Sequence, residues 1–127
     1  MTIYALSSGP GKSGIAVIRV SGSKSRKIIE LLTNGPFPKP KLATLKKINK
    51  ISTNELIDEG IILWFPAPES YTGEDMAELH VHGSRAVVEA IHNSISKVEN
   101  CRLAEPGEFT KIAFQNGKIN LLKAESI

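Results

Sequence analysis

Two hydrophobic periods alternate along the chain. Residues 3–6 are a short apolar run and residues 15–20 are rich in Ile and Val, and both predict strands. Ser23 stands where a hydroxyl caps a helix over 24–32, whose Ile28, Ile29, Leu31 and Leu32 form an apolar face. Gly35-Pro36-Phe37-Pro38-Lys39-Pro40 stops that helix and makes a stiff connection. Residues 42–51 alternate enough for an edge strand and 52–55 read as a turn. Residues 60–65 are apolar on both faces, as in a strand inside a sheet, and Pro66 and Pro68 close them. A polar loop over 69–74 leads into a strand at 76–82. Beyond Gly83, with Ser84 near the start, Val87, Val88, Ile91, Ile95 and Val98 repeat at helical spacing. The remainder predicts a short strand at 102–104, a turn at Pro106-Gly107, and one or two helices. Ile119, Leu122 and Ile127, with good helix formers between them, predict that the chain stops inside a helix of a longer polypeptide.

Strand alternation sorts the titratable groups. In Met76-Ala77-Glu78-Leu79-His80-Val81-His82 one face is apolar, and Glu78, His80 and His82 share the other. Two histidines at alternate strand positions can chelate a transition metal, with a carboxylate, Cys101 or His92 as third ligand; a polar, partly solvated face is the plainer account. Arg19 lies in a run of Ile, Val and Ala, where an unpaired guanidinium is costly to bury, so it calls for a carboxylate of the protein or an anionic ligand gripped bidentately. His92, beside the apolar helical stripe, reads as a packed or surface histidine, and Cys101 as a buried small hydrophobe.

Composition narrows the classes. A chain of 127 residues supports one core, and its apolar and charged fractions of 41% and 23% are those of a globular domain. The net charge of +3 is too small to mark a nucleic-acid binder, although Lys39, Lys41, Lys46, Lys47 and Lys50 crowd one segment, which reads as a charge-protected edge. One cysteine excludes an internal disulfide and suits a reducing compartment. No segment has the length of a membrane span or the pattern of a secretory signal, so the expected location is the cytosol, or the mitochondrion after removal of a targeting segment. Gly11-Lys12-Ser13 resembles the end of a nucleotide-binding phosphate loop. Leu6 occupies the position where such a loop needs glycine, and a strand follows where a helix should, so the likeness is incidental.

The stretches GIAVIRVSG, WFPAPESYTGEDMAELHVHG and RLAEPGEFTKIAFQNGKINLLKAE, in that order, closely resemble motifs of the N-terminal domain of the tRNA uridine modification GTPases, the MnmE/TrmE family. The resemblance spans nearly the whole chain except 42–57. It implies an α+β fold, a mixed β-sheet with flanking helices similar to the tetrahydrofolate-binding domain of the glycine cleavage T-protein. It implies a homodimer that binds a reduced folate, 5-formyltetrahydrofolate or 5,10-methylenetetrahydrofolate, through Arg19, Glu78 and Lys118, with no catalytic residue and no metal ligand in this piece. It further implies that the complete protein uses GTP, Mg and K in a separate GTPase domain. With a flavin-dependent MnmG/GidA-type partner, that protein would modify carbon 5 of the wobble uridine of tRNA. On this division, residues 1–117 form the folate-binding dimerisation domain, and 118–127 complete it and begin a helix toward the absent region. Ser13, Ser84 and Asn120 depart from the family pattern. Two rival readings stand beside this one: a metal-dependent enzyme centred on His80 and His82, and a purely structural dimerisation module.

Overall fold

The computed structural model describes residues 1–7 and 14–119. The strands are β1 (Thr2–Leu6), β2 (Ile15–Ser21), β3 (Thr44–Asn49), β4 (Leu56–Phe65), β5 (Met76–His82) and β6 (Cys101–Leu103); the helices are α1 (Ser25–Leu32), α2 (Arg85–Ser96) and α3 (Glu108–Gln115). The strands form a single sheet in the order β3-β4-β5-β2-β1-β6. Every pairing is antiparallel except β1 with β6, which is parallel. This is the expected α+β fold with a mixed sheet, and β3 lies at the edge as its alternation predicted.

One face of the sheet is covered by helices. Ile18 and Val20 of β2, Ile62 and Trp64 of β4, and Leu79 and Val81 of β5 pack with Ile28, Ile29 and Leu32 of α1 and with Ile91 and Ile95 of α2. The helices hold only one apolar stripe each, so they cover one face. Ile3, Met76 and Ala113 are buried apart from that cluster, where α3 and the 66–75 loop close one end of the opposite face. The described residues leave the rest of the opposite face open.

Two local expectations change. The cap of α1 is not Ser23: Lys24 holds that position with no side-chain cap. Instead Thr2 Oγ1 of β1 accepts from Lys24 N at 2.8 Å, and Ser25 Oγ donates to Asp75 O at 2.9 Å, which anchors the helix start beside β5. Strand β4 begins at Leu56 rather than residue 60. Its first half pairs only with β3, while pairing with β5 begins at Ile61, so the polar Asp58 and Glu59 sit where β4 is not flanked on both sides. The 102–104 strand is observed at Cys101–Leu103, and Ser84 caps α2 by accepting from Val87 N at 3.2 Å.

Gly60 is required by contact. A Cβ there would collide with the carbonyl oxygen of His80 and lie 3.1 Å from Val81 Cγ1. Gly60→Ala is therefore expected to destabilise the fold by about 1–3 kcal/mol, because backbone must move. Urea unfolding checks this: the midpoint should fall with an unchanged slope.

Candidate ligand site on the open face of the sheet

Strands β2 and β5 pair over seven positions, and their register sets Arg19 opposite Glu78. Since Ile18, Val20, Ala77 and Leu79 turn to the helices, alternation sends Arg19 and Glu78 together to the open face. Arg19 Nε donates to Glu78 Oε2 at 3.2 Å, and Nη2 lies 3.2 Å from the same oxygen. The other oxygen, Oε1, accepts from His80 Nε2 at 3.0 Å, which places the ring proton on Nε2 because a carboxylate only accepts. The pair is half-buried, with 28% and 17% of the two side chains exposed. Arg19 has thus found its carboxylate within the protein. Its remaining N–H groups, and the unused lone pairs of Glu78, stay available at the surface.

The guanidinium also sits over the ring of Tyr71, 5.3 Å from its centroid, within the range of a cation–π contact. Tyr71 belongs to the polar loop that the sequence left without a role. The loop is fixed at Thr72 and Glu74. Ser21 Oγ is 2.8 Å from Thr72 Oγ1 and donates to Glu74 Oε1 at 2.9 Å; Asn116 Nδ2 donates to Thr72 O at 2.8 Å. Gly73, at φ +83°, allows the close approach, since a Cβ there would lie 3.1 Å from Asn116 Cβ. Lys118 joins the same loop through Nζ, which donates to Pro68 O at 3.0 Å. Arg19 and Glu78 are therefore in direct contact, whereas Lys118 reaches the loop that carries Tyr71 and makes no described contact with that pair. An aromatic residue between two polar segments was the only sequence signal for Tyr71.

The two strand histidines do not converge. His80 turns to Glu78, while His82 Nδ1 donates to Asp58 Oδ1 at 2.8 Å and its backbone N–H donates to Asp58 Oδ2 at 2.9 Å. Burial alone would raise the Asp58 carboxyl, and the bonds and charge of His82 together with a bond from the Glu59 backbone outweigh it and hold the group below its ordinary value. Among the described residues no group of three or more His, Cys, Asp and Glu side chains is arranged to hold a metal ion, so the metal reading gains no support. His92 packs edge-on against Tyr4 with ring centroids 5.2 Å apart; burial lowers its pKa and leaves Nε2 without a described partner. Cys101 is half-buried rather than buried, and burial raises its thiol pKa. Residues 8–13, with Gly11-Lys12-Ser13, and residues 120–127 lie outside the described residues.

The family model described as "GTP-binding protein TrmE N-terminus" matches residues 2–118, which contain Arg19, Glu78 and Lys118. The chain belongs to the TrmE N-terminal family. It is similar to the protein named tRNA modification GTPase MnmE in Pelagibacter ubique, 75% identical over 127 residues, covering 100% of this chain and 29% of that protein. The protein of the same name in Rhodopseudomonas palustris is 49% identical over 126 residues, covering 99% and 28%. A mitochondrial 5-taurinomethyluridine-[tRNA] synthase subunit of Danio rerio is 46% identical over 126 residues, covering 99% and 25%. The chain thus spans between a quarter and a third of the length of these relatives. No helix among the described residues is long and apolar enough to cross a membrane.

In this TrmE N-terminal domain, α3 leads to Asn116 and Lys118, and its first turn is held to β6. Arg102 Nη1 donates to Glu108 Oε1 at 2.8 Å, and Glu105 N donates to the same oxygen at 2.9 Å. Hydrogen bonding from Arg102, then from the Glu105 backbone, lowers the Glu108 pKa to about 2. A carboxyl depressed in the folded state stabilises above its unfolded pKa of about 4.3 and loses that contribution as pH falls toward its folded value. Wild type should therefore exceed Glu108→Gln in stability by a constant margin above about pH 5. The margin should shrink between about pH 4 and pH 2, as read from urea unfolding at each pH.

Proposed function

We propose that this chain is the reduced-folate-binding and dimerisation domain of a tRNA-modifying GTPase. The observation that carries this reading is the Arg19–Glu78 pair on the open sheet face, inside the segment that matches the family. A pterin ring offers an amide N–H beside an amino group. Glu78 keeps acceptor capacity on both oxygens beyond the bonds to Arg19 and His80, so it can take that donor pair side by side. The anionic glutamyl tail calls for cations, which Arg19 and Lys118 would supply. The folate, as the 5-formyl or 5,10-methylene form, would donate the one-carbon unit.

The open face also calls for a cover. Ile15 and Leu45 are 52% and 62% exposed, and Ile61, Leu63 and Phe65 on the same face are only half-buried. A second copy of the chain laid against this face would exclude water from the apolar row and deepen the site. In the complete protein, the dimer would present the one-carbon donor to a flavin-dependent MnmG/GidA-type partner acting on carbon 5 of the tRNA wobble uridine. GTP hydrolysis, with Mg and K, would belong to a region outside this chain. The bacterial and mitochondrial relatives support a cytoplasmic or a mitochondrial setting for that work.

Calorimetry with 5-formyltetrahydrofolate tests the site. Arg19→Ala should weaken binding by about 1–3 kcal/mol, since one charge-assisted contact goes and Glu78 loses its partner. Arg19→Lys should recover only part of the loss, because an ammonium lacks the planar fork. Glu78→Gln should cost about 2–4 kcal/mol by opposing an NH2 to a ligand donor, and more than His80→Ala or His82→Ala. Parent-like binding by both Arg19 variants, or a histidine effect larger than that of Glu78, would remove the assignment. Light scattering at micromolar concentration should give the mass of two chains, and a one-chain mass would contradict the dimer.

A further inference from the structure

A concavity lies on the helical side of the sheet, across from Arg19 and Glu78. It is a groove of about 510 Å³ between the turn that follows β3 and one flank of α2. Lys50, Ser52 and Thr53 line it from the turn, and Asn93 and Lys97 from the helix. Ala86 and Ala90 complete the helix side, and their short side chains let a ligand approach the helix backbone.

The walls are tied together. Lys50 N donates to Glu55 O at 2.8 Å and Asn54 N to Lys50 O at 2.9 Å, which closes the turn. Ile51 N donates to Ser94 Oγ at 3.3 Å, which joins the turn to α2. Among the described residues neither Lys50 nor Lys97 has an ion pair, whereas Lys46 donates to Asn34 O and Pro36 O, and Lys41 lies near Glu69. Glu89, the acid among the described lining residues, is already 3.0 Å from Arg85 Nε. The groove therefore offers two ammonium groups without an ion pair among the described residues, together with hydroxyl and amide donors.

We propose that this groove binds the sugar–phosphate backbone of RNA. Lysine, serine, threonine and asparagine are the side chains that hold phosphate oxygens. Among the described residues no aromatic side chain lines the groove to stack on a base, and no guanidinium lines it. Binding there follows the backbone and is indifferent to sequence. The choice of RNA over other polyanions rests on the reading of the chain as part of a tRNA-modifying protein. Because the groove and the Arg19–Glu78 pair lie on opposite sides of the sheet, RNA and folate do not compete.

Fluorescence anisotropy of the 127-residue chain with a labelled, unmodified tRNA transcript at increasing KCl tests the proposal. The double variant Lys50→Gln/Lys97→Gln should weaken binding by on the order of ten-fold or more and flatten the slope of log K against log salt by about 1 per lysine. A scrambled RNA of equal length should bind as the tRNA does. The variant Lys27→Gln/Lys111→Gln, which removes the same charge from exposed sites on α1 and α3, should bind as the parent does. Equal weakening by both double variants would overturn the groove in favour of diffuse charge. So would an unaffected Lys50/Lys97 variant, an absence of RNA binding at low salt, or groove-dependent binding of inorganic phosphate without RNA. Arg19→Ala should keep RNA binding, and saturating 5-formyltetrahydrofolate should not displace RNA. Failure of the folate site and failure of the groove are therefore read separately.

Discussion

The in-register pairing of β2 with β5 is the constraint on which the rest of the molecule depends. Side chains of adjacent strands share a face only in matched register, and a one-residue slip would turn Arg19 toward the helices and Ile18 toward solvent. The apolar members, Ile18, Val20, Leu79 and Val81, lock that register by burying themselves under α1 and α2. The hydrophobic effect thus does the positioning, and the Arg19–Glu78 contact follows from it. A half-exposed ion pair contributes only about 0.2–1 kcal/mol by itself, too little to choose a register against a buried row of Ile, Val and Leu.

That division leaves a sheet with one committed face and one available face. On the available side, polarity is arranged in a chain of contacts: Tyr71 under Arg19, Arg19 against Glu78, and Glu78 against His80. Each member restricts its neighbour's rotamers, so the carboxylate is oriented before any ligand arrives, and less ordering remains to be done on binding. The loop that brings Tyr71 is held through Thr72 to both β2 and the end of α3. The position of Lys118 therefore depends on the same loop that braces Arg19.

Much of this was legible in the sequence, for identifiable reasons. The β5 boundaries, Met76 to His82, follow from strict alternation, and α2 from a helical repeat of Val and Ile. The early start of β4 was hidden because Asp58 and Glu59 look like turn residues; their tolerance comes from where the β4–β5 pairing stops, at Ile61 opposite His80, a property set by another segment. The helix α1 lacks a local cap because Thr2, far earlier in the chain, supplies the acceptor. Arg19 visibly needed a carboxylate, yet nothing local could say that Glu78, 59 residues away, would be the partner. The same holds for His82, whose anchor Asp58 lies in a different strand and draws it away from His80.

On the proposed reading the ligand binds on the open face around the Arg19–Glu78 pair. Titrating the 15N-labelled chain with 5-formyltetrahydrofolate, and following both the Arg19 side-chain Nε–H and the backbone amides by NMR, tests it most directly. The Arg19 Nε–H resonance and the amides of 71–73 and 76–80 should move first and saturate together, while those of the outer faces of α1 and α2 stay in place. Saturable shifts confined to α1 or α2, or no shift at Arg19 Nε–H at millimolar ligand, would contradict it.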